Sequence, residues 1–366
     1  MDPADLVELS LCSTRLMHLI TLTQFHPTYC NLTMRTSFDR KTEIEIGFLD
    51  SSKVSWQIVQ NTYTKKKKLC AGAKIEKRSL WNGIAFKSSA RLANTIYTFC
   101  TPSEFESFFK ITAEYLLYLF PCRVRKVEFE MNFFSDLHMF TDWNKVHSCQ
   151  NLRLRAFKST NENIENVLKA VNVTKSIDIM GYSGDEVENS EILKLEEVKL
   201  DGALWFSKEK FLKMSSKKIE ILDNNFGCAT LNEAMHRWMK KEHENLESLT
   251  VSFPELDNES MQKLFHNLNW KTWDPSKRNR YFRKDDEHLY DCKNGLDIQR
   301  SDGKIATILY ADHAFNFFVW NKSKSDSSLP CGMYFKRRPH QPIFDAKSFD
   351  TVSYGMAKLI FPVKIT

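Results

Sequence analysis

The side chains in this chain that could do chemistry are scattered, and their spacings argue against catalysis. His243-Glu244 opens like a zinc-protease helix, but Asn245-Leu246-Glu247 follows, so the second histidine is missing. His288 and Cys292 stand four apart, a spacing that would bring them together on a helix, yet no second ligand pair lies nearby to complete a zinc site. The nine cysteines, at 12, 30, 70, 100, 122, 149, 228, 292 and 331, include no Cys-x-x-Cys pair. An odd, scattered set reads as reduced thiols, with Cys100, Cys122 and Cys149 as small buried hydrophobes. No Gly-x-Ser-x-Gly elbow, P-loop or dinucleotide glycine fingerprint occurs. The expectation is a non-enzyme without metal or cofactor.

Two groups point instead to binding. Lys65, Lys66, Lys67 and Lys68, followed by Lys74, Lys77 and Arg78, form a dense basic run. It reads first as a solvated hairpin tip or loop, and second as a nuclear-import or acidic-partner patch. Only Tyr63 and Trp81 flank it, too few stacking aromatics for nucleic acid to be an expected partner. Trp205-Phe206 follows a strand-like run and is expected to project from a loop as a hot spot for a protein partner. Trp143 and Trp238 lie inside helical patterns and are expected in the core.

The elements that must position these groups are those of a globular α+β chain. The 366 residues are 42% hydrophobic and 27% charged, with 27 phenylalanines and a net charge of only +6. No apolar stretch is long enough for a membrane span, and the N-terminus lacks a secretory pattern, so a cytoplasmic or nuclear location is expected. Short alternating runs from 29 to 60, then Trp56–Val59, Trp81–Phe86 and Thr95–Phe99, read as an antiparallel sheet. Thr101-Pro102-Ser103-Glu104 is a capping box that opens an amphipathic helix ending near Pro121.

Six apolar-x-apolar runs follow: Val127/Phe129, Leu152/Leu154, Ile177/Ile179, Val198/Leu200, Ile219/Ile221 and Leu249/Val251. Helix-like stretches at 133–147, 160–171, 207–214, 229–241 and 257–268 separate them or follow the last, two opening on Ser159-x-x-Glu162 and Thr230-x-x-Glu233. This reads as an irregular leucine-rich-repeat-like array or an ordinary α/β layer, with parallel pairing either way. A charged stretch, Asp274–Glu287, precedes a hairpin over Leu296–Tyr310 with Asp302-Gly303 as a two-residue turn, and Phe315–Trp320 as a third strand.

The N-terminal residues carry a resemblance. Asp2 is a good N-cap and Pro3 fits the first helical position. The order Asp2-Pro3, Asp5-Leu6, Leu9-Ser10-Leu11-Cys12-Ser13 and Arg15 resembles the second half of an F-box. Asn31–Met34, Ile96–Phe99, Leu231–Met239, Asn245–Thr250, Gly295–Ile308 and Phe317–Trp320 resemble, in order, the nematode F-box-associated region of the second type. The resemblance implies a partial F-box over 1–22 whose first helix is missing. It implies an F-box-associated domain over 29–320, divided into a β region with its capped helix (29–121), strand–helix repeats (122–270) and a closing hairpin (281–320). The tail, 321–366, is unassigned.

What the family implies is a non-catalytic substrate receptor of a cullin-RING ubiquitin ligase. Pro3, Leu6, Leu9, Leu11 and Leu16 would meet a Skp-type adaptor, and the α+β region an unknown target protein. The alternatives are a protein-binding module uncoupled from the ligase by loss of the first F-box helix, and a basic nuclear or nucleic-acid-associated protein.

Overall fold

The computed structural model describes residues 2–23, 25–35, 42–60, 75–79, 85–89, 94–131, 133, 137–157, 159–182, 184–252, 258–285, 288–311 and 313–320. Two compact units emerge, Met1–Asn189 and Ser190–Thr366. The lysine run 65–68, residues 81–84 of the expected Trp81–Phe86 strand, and the tail after Trp320 lie outside the described residues.

The first unit begins with α1 (Pro3–Cys12) and α2 (Thr14–Leu22). The Asp2 carboxylate accepts from the Ala4 N–H, and Pro3 occupies the first turn, where a missing donor is harmless. Ser13 is extended, at φ −161°, so it ends one helix and caps the next through its hydroxyl.

Nine strands follow: β1 (Pro27–Met34), β2 (Thr42–Phe48), β3 (Lys53–Gln60), β4 (Ile75–Ser79), β5 (Ala85–Ser89), β6 (Thr95–Cys100), β7 (Val124–Glu130), β8 (Ser148–Arg155) and β9 (Asn172–Met180). Their order in the sheet is β9-β8-β7-β1-β2-β3-β6-β5-β4. The expected antiparallel region is in fact mixed. β1–β2–β3 and β4–β5–β6 pair antiparallel, but β3 runs parallel to β6 and β1 parallel to β7. Alternation reports which face a residue takes and not which neighbour its strand finds, so the sequence left this open.

Three helices complete the unit: α3 (Phe105–Leu119), α4 (His138–Thr141) and α5 (Asn161–Ala170). A 3-10 turn over Pro102–Glu104 precedes α3, and Glu104 reaches back to the Thr101 N–H as a capping box requires. Trp56 packs edge-on against Tyr115 of α3 at 6.2 Å, and its indole N–H donates to Thr98 Oγ1 at 2.8 Å. Among the described residues of the expected helix 133–147, only α4 and a short turn are helical, with Trp143 buried between them as expected. The cap of α5 falls on Thr160 rather than Ser159.

The second unit has the sheet order β13-β16-β17-β18-β12-β11-β10. These strands are β10 (Glu197–Asp201), β11 (Lys218–Ile221), β12 (Ser248–Ser252), β13 (Trp270–Thr272), β16 (Leu296–Gln299), β17 (Ile305–Ala311) and β18 (Ala314–Trp320). β10, β11 and β12 run parallel, and β18 then pairs antiparallel with β12. Helices α6 (Lys208–Lys213), α7 (Cys228–Met239) and α8 (Asn258–Leu264) belong to the same unit. Trp238 of α7 packs edge-on against Phe317 of β18 at 5.3 Å, placing it in the core as expected.

Two local expectations fail here. Gly227, not Thr230, caps α7; Thr230 is buried inside the first turn. The β16–β17 connection is a three-residue loop, 301–303, closed by Arg300 N–H to Lys304 O at 2.9 Å. A two-residue type I′ turn needs positive φ at both centres, and only Gly303, at +86°, has it.

The charged stretch after β13 holds an element the alternation did not announce, the small hairpin β14 (Tyr281–Arg283) and β15 (Leu289–Asp291).

Candidate functional site

Three surfaces have the composition of a binding site. The first is the outer side of α1 and α2. Seven large apolar side chains stand exposed among the described residues, and Leu9, Leu16, Leu19 and Leu22 are four of them. That concentration sets these helices apart. Leu16, Leu19 and Leu22 recur every three residues along one side of α2, and Leu22 is 75% exposed. Pro3 and Leu6 turn inward and Leu11 is half-buried, so of the residues assigned from sequence only Leu9 and Leu16 are surface leucines. Leu19 and Leu22 were missed, although their spacing was visible.

The helix pair is tied to its unit by polar contacts. Ser10 and Tyr115 share a 2.6 Å hydrogen bond, Glu8 pairs with Arg78, and Tyr118 meets His18. Burial pushes the Tyr115 hydroxyl up to about 12, so it stays a neutral partner.

The second surface is the polar face of the first unit's parallel strands. The residues in register are Asn31, Lys126, Asn151 and Ser176 in one row, and Thr33, Glu128, Arg153 and Asp178 in the next. Glu130, Arg155 and Met180 form a third. Glu128, only 2% exposed at its side chain, is ringed by Lys126 at 2.7 Å, Arg35 at 3.3 Å, Arg155 at 3.5 Å and Arg153 at 3.8 Å. Burial alone would raise its pKa; the Lys126 hydrogen bond and the charges of Lys126, Arg35 and Arg153 outweigh it and hold the carboxyl below its ordinary range. Arg153 also donates to Asp178 at 2.7 Å. Beside this grid the Arg125 guanidinium lies 3.4 Å over the Tyr29 ring. That ring in turn covers Gly47, where any Cβ would overlap it.

The third surface is the matching face of the second unit, and here the chain covers the region around Glu220, while Lys199, Lys218 and Glu197 stay in part exposed. Lys199 and Glu220 pair at 2.6 Å across β10–β11. Lys284, just after β14, reaches Glu220 at 2.7 Å and Thr250 at 3.0 Å. Phe282 stacks on Phe318 at 4.5 Å, and Tyr290 packs on the same ring. At the base of the hairpin, buried Arg278 donates to Asp297, to the Cys292 carbonyl and to the Asn279 carbonyl. Thr307 completes the Asp297 shell at 2.7 Å.

Several expected site residues are not where a site would need them. Trp205 and Phe206 are 6% and 2% exposed and pack edge-on against each other at 5.6 Å. Gly202, at φ +77°, starts a 3-10 turn that folds both rings inward and leaves Leu204 outside, so the exposed aromatic pair is withdrawn. His288 and Cys292 flank β15 rather than share a helix: the first is exposed beside Asp285, the second is buried. No cluster of three metal-ligating side chains occurs among the described residues. Burial lowers His243, whose Nε2 lies 3.1 Å from the Leu212 carbonyl. Burial also pushes Cys100, Cys122, Cys149 and Cys292 up to about 12, far from nucleophilic thiolates. Cys122 is only half-buried, unlike Cys100 and Cys149.

Comparison with known proteins adds a family likeness. Two Caenorhabditis elegans proteins resemble this chain along most of its length. The uncharacterized protein F59B2.8 is 23% identical over 332 residues, 88% of this chain and 74% of the relative. The uncharacterized protein F59B2.9 is 21% identical over 329 residues, 87% of this chain and 75% of the relative. No solved structure matches. No helix among the described residues is long and apolar enough to cross a membrane. Residues 188–251, which span β10, β11 and β12 with α6 and α7, match the model of a family described as F-box associated.

Proposed function

We propose that this protein is a non-catalytic substrate receptor of a cullin-RING ubiquitin ligase. The observation that carries the reading is the leucine ridge of α1 and α2, held on a polar-faced sheet unit in a chain whose residues 188–251 match the F-box associated family. Leu9, Leu16, Leu19 and Leu22 would dock a Skp-type adaptor. The strand–helix units, taken as a leucine-rich-repeat-like array, would present the target. The mechanism is proximity: an acceptor lysine is held near a charged conjugating enzyme, with no bond made by this chain's own side chains. A cytoplasmic or nuclear location follows from that role.

The test is capture of purified Skp-type adaptor by the full chain and by a Leu19→Asp/Leu22→Asp variant. Capture by the wild type and loss in the variant are expected. Adaptor binding by neither protein, or equally by both, refutes the coupling surface.

A further inference from the structure

The two polar sheet faces differ in sign. On the second unit's parallel strands, Glu197, Asp201 and Glu220 face Lys199 and Lys218, an acidic excess of one. The chain supplies the missing cation itself, because Lys284 is brought onto Glu220 and is only 10% exposed there. On the first unit's strands, Arg35, Lys126, Arg153 and Arg155 face Glu128, Glu130 and Asp178, a basic excess of one to which Arg125 adds. The charges are also layered. Glu128 and Glu130 are buried, whereas Lys126 and Arg153 keep 34% and 39% of their side chains in solvent. The buried Nε–H of Arg155 has no hydrogen-bond acceptor among the described residues. An incoming group therefore meets the cations first.

We propose that this face, built from Lys126, Arg153 and Arg155 with Arg125 at its rim, binds an anionic peptide segment, carboxylate- or phosphate-bearing. The proposal rests on the receptor reading and names the chemistry of its target. Arginine forks in fixed orientation suit carboxylate and phosphate oxygens, and Glu128 pre-sets two of them. Three interstrand steps of about 4.8 Å separate β1 from β9, so four or five extended residues at roughly 3.3 Å each would cross the grid. The site ends at β2, where Glu43 and Glu45 on the same face would repel such a ligand.

The test uses the full chain and three fluorescein-labelled peptides: octaglutamate, an alternating phosphoserine–glycine octamer and a neutral glycine–serine octamer. Anisotropy should show one or both anionic probes bound, with the tighter one identifying the source of the charge. Their affinity should weaken as salt rises from about 50 to about 300 mM. Lys126→Ala/Arg153→Ala should lose about tenfold, and Arg153→Lys, which keeps the charge but not the fork, less. Lys208→Ala/Lys263→Ala removes equal charge elsewhere and should change nothing. Equal binding of all three probes, salt-independent binding, or an unaffected Lys126→Ala/Arg153→Ala variant overturns the proposal. Peptide binding lost while adaptor capture persists removes the ligand class and spares the receptor reading.

Discussion

The parallel strands of the two units solve the same problem in opposite ways. Each sets a glutamate, Glu128 or Glu220, on the polar face of the sheet and surrounds it with cations from neighbouring strands. In the second unit the hairpin β14–β15 lies on that face, contributes Lys284, and seals its edge with Phe282 and Tyr290 against Phe318. In the first unit the cations over Glu128 remain in part exposed. A charged sheet face need not be a binding surface throughout; where a segment of the same chain reaches the central carboxylate, it takes the place a ligand's charge would occupy. The proposed recognition therefore falls to the first unit, because in the second Lys284 already occupies the place over the central glutamate, although Lys199, Lys218 and Glu197 keep 40%, 36% and 39% of their side chains in solvent.

Breaking the hairpin's anchor should have the largest effect. Arg278→Met leaves Asp297 as an uncompensated buried carboxylate and should cost about 3–5 kcal/mol in denaturant unfolding. Lys284→Met removes the hydrogen-bonded cation on Glu220 and should cost about 2 kcal/mol, with faster protease cleavage around the hairpin. If Lys284→Met is neutral, the hairpin does not close the second face.

Acidity sharpens the comparison next. Both Glu128 and Glu220 sit below the ordinary glutamate value of 4.5: burial opposes ionisation, and the neighbouring lysines and arginines more than offset it. A folded-state value depressed in this way gives stability that is complete above the unfolded value. It is lost as pH falls from about 4.5 through the folded value. Wild-type stability should therefore drop below about pH 4.5, and Glu128→Gln and Glu220→Gln should each flatten that drop.

Smaller effects belong to the helix pair. Ser10→Ala leaves Tyr115 without its 2.6 Å partner and should cost about 1 kcal/mol. Leu22→Asp, at a side chain 75% exposed, should change stability by no more than about 0.5 kcal/mol, whatever it does to adaptor capture. Native alkylation should modify Cys12, which is exposed, and spare Cys100, Cys149 and Cys292.

Much of the fold could be read from periodicity. The six apolar pairs from Val127/Phe129 to Leu249/Val251 all fall on strands, and the pairs described within each unit are parallel. Strand order could not be read, because the pairing of β1 with both β2 and β7 is a long-range choice with no local signature. β14–β15 was hidden because only three residues pair on each side. Its aromatics serve the cluster around Phe318 rather than an alternating core face.

The site was legible only in part. Of the residues expected to meet an adaptor, Leu9 and Leu16 are exposed, whereas Pro3 and Leu6 are buried. Trp205-Phe206 failed because one glycine at φ +77° decides on which side of the chain the rings fall. The cationic grid was visible as Lys126-x-Glu128-x-Glu130 and Arg153-x-Arg155, but only register turns those runs into a cluster.

The most direct measurement is trace acetylation of native lysines, read residue by residue by mass spectrometry. A first face open at its cations and a second face capped over Glu220 predict that Lys126 reacts and that Lys284, 10% exposed, is protected relative to Lys208, 47% exposed. Lys284 reacting as fast as Lys208, or Lys126 protected as fully as Lys284, would contradict the distinction between the two faces.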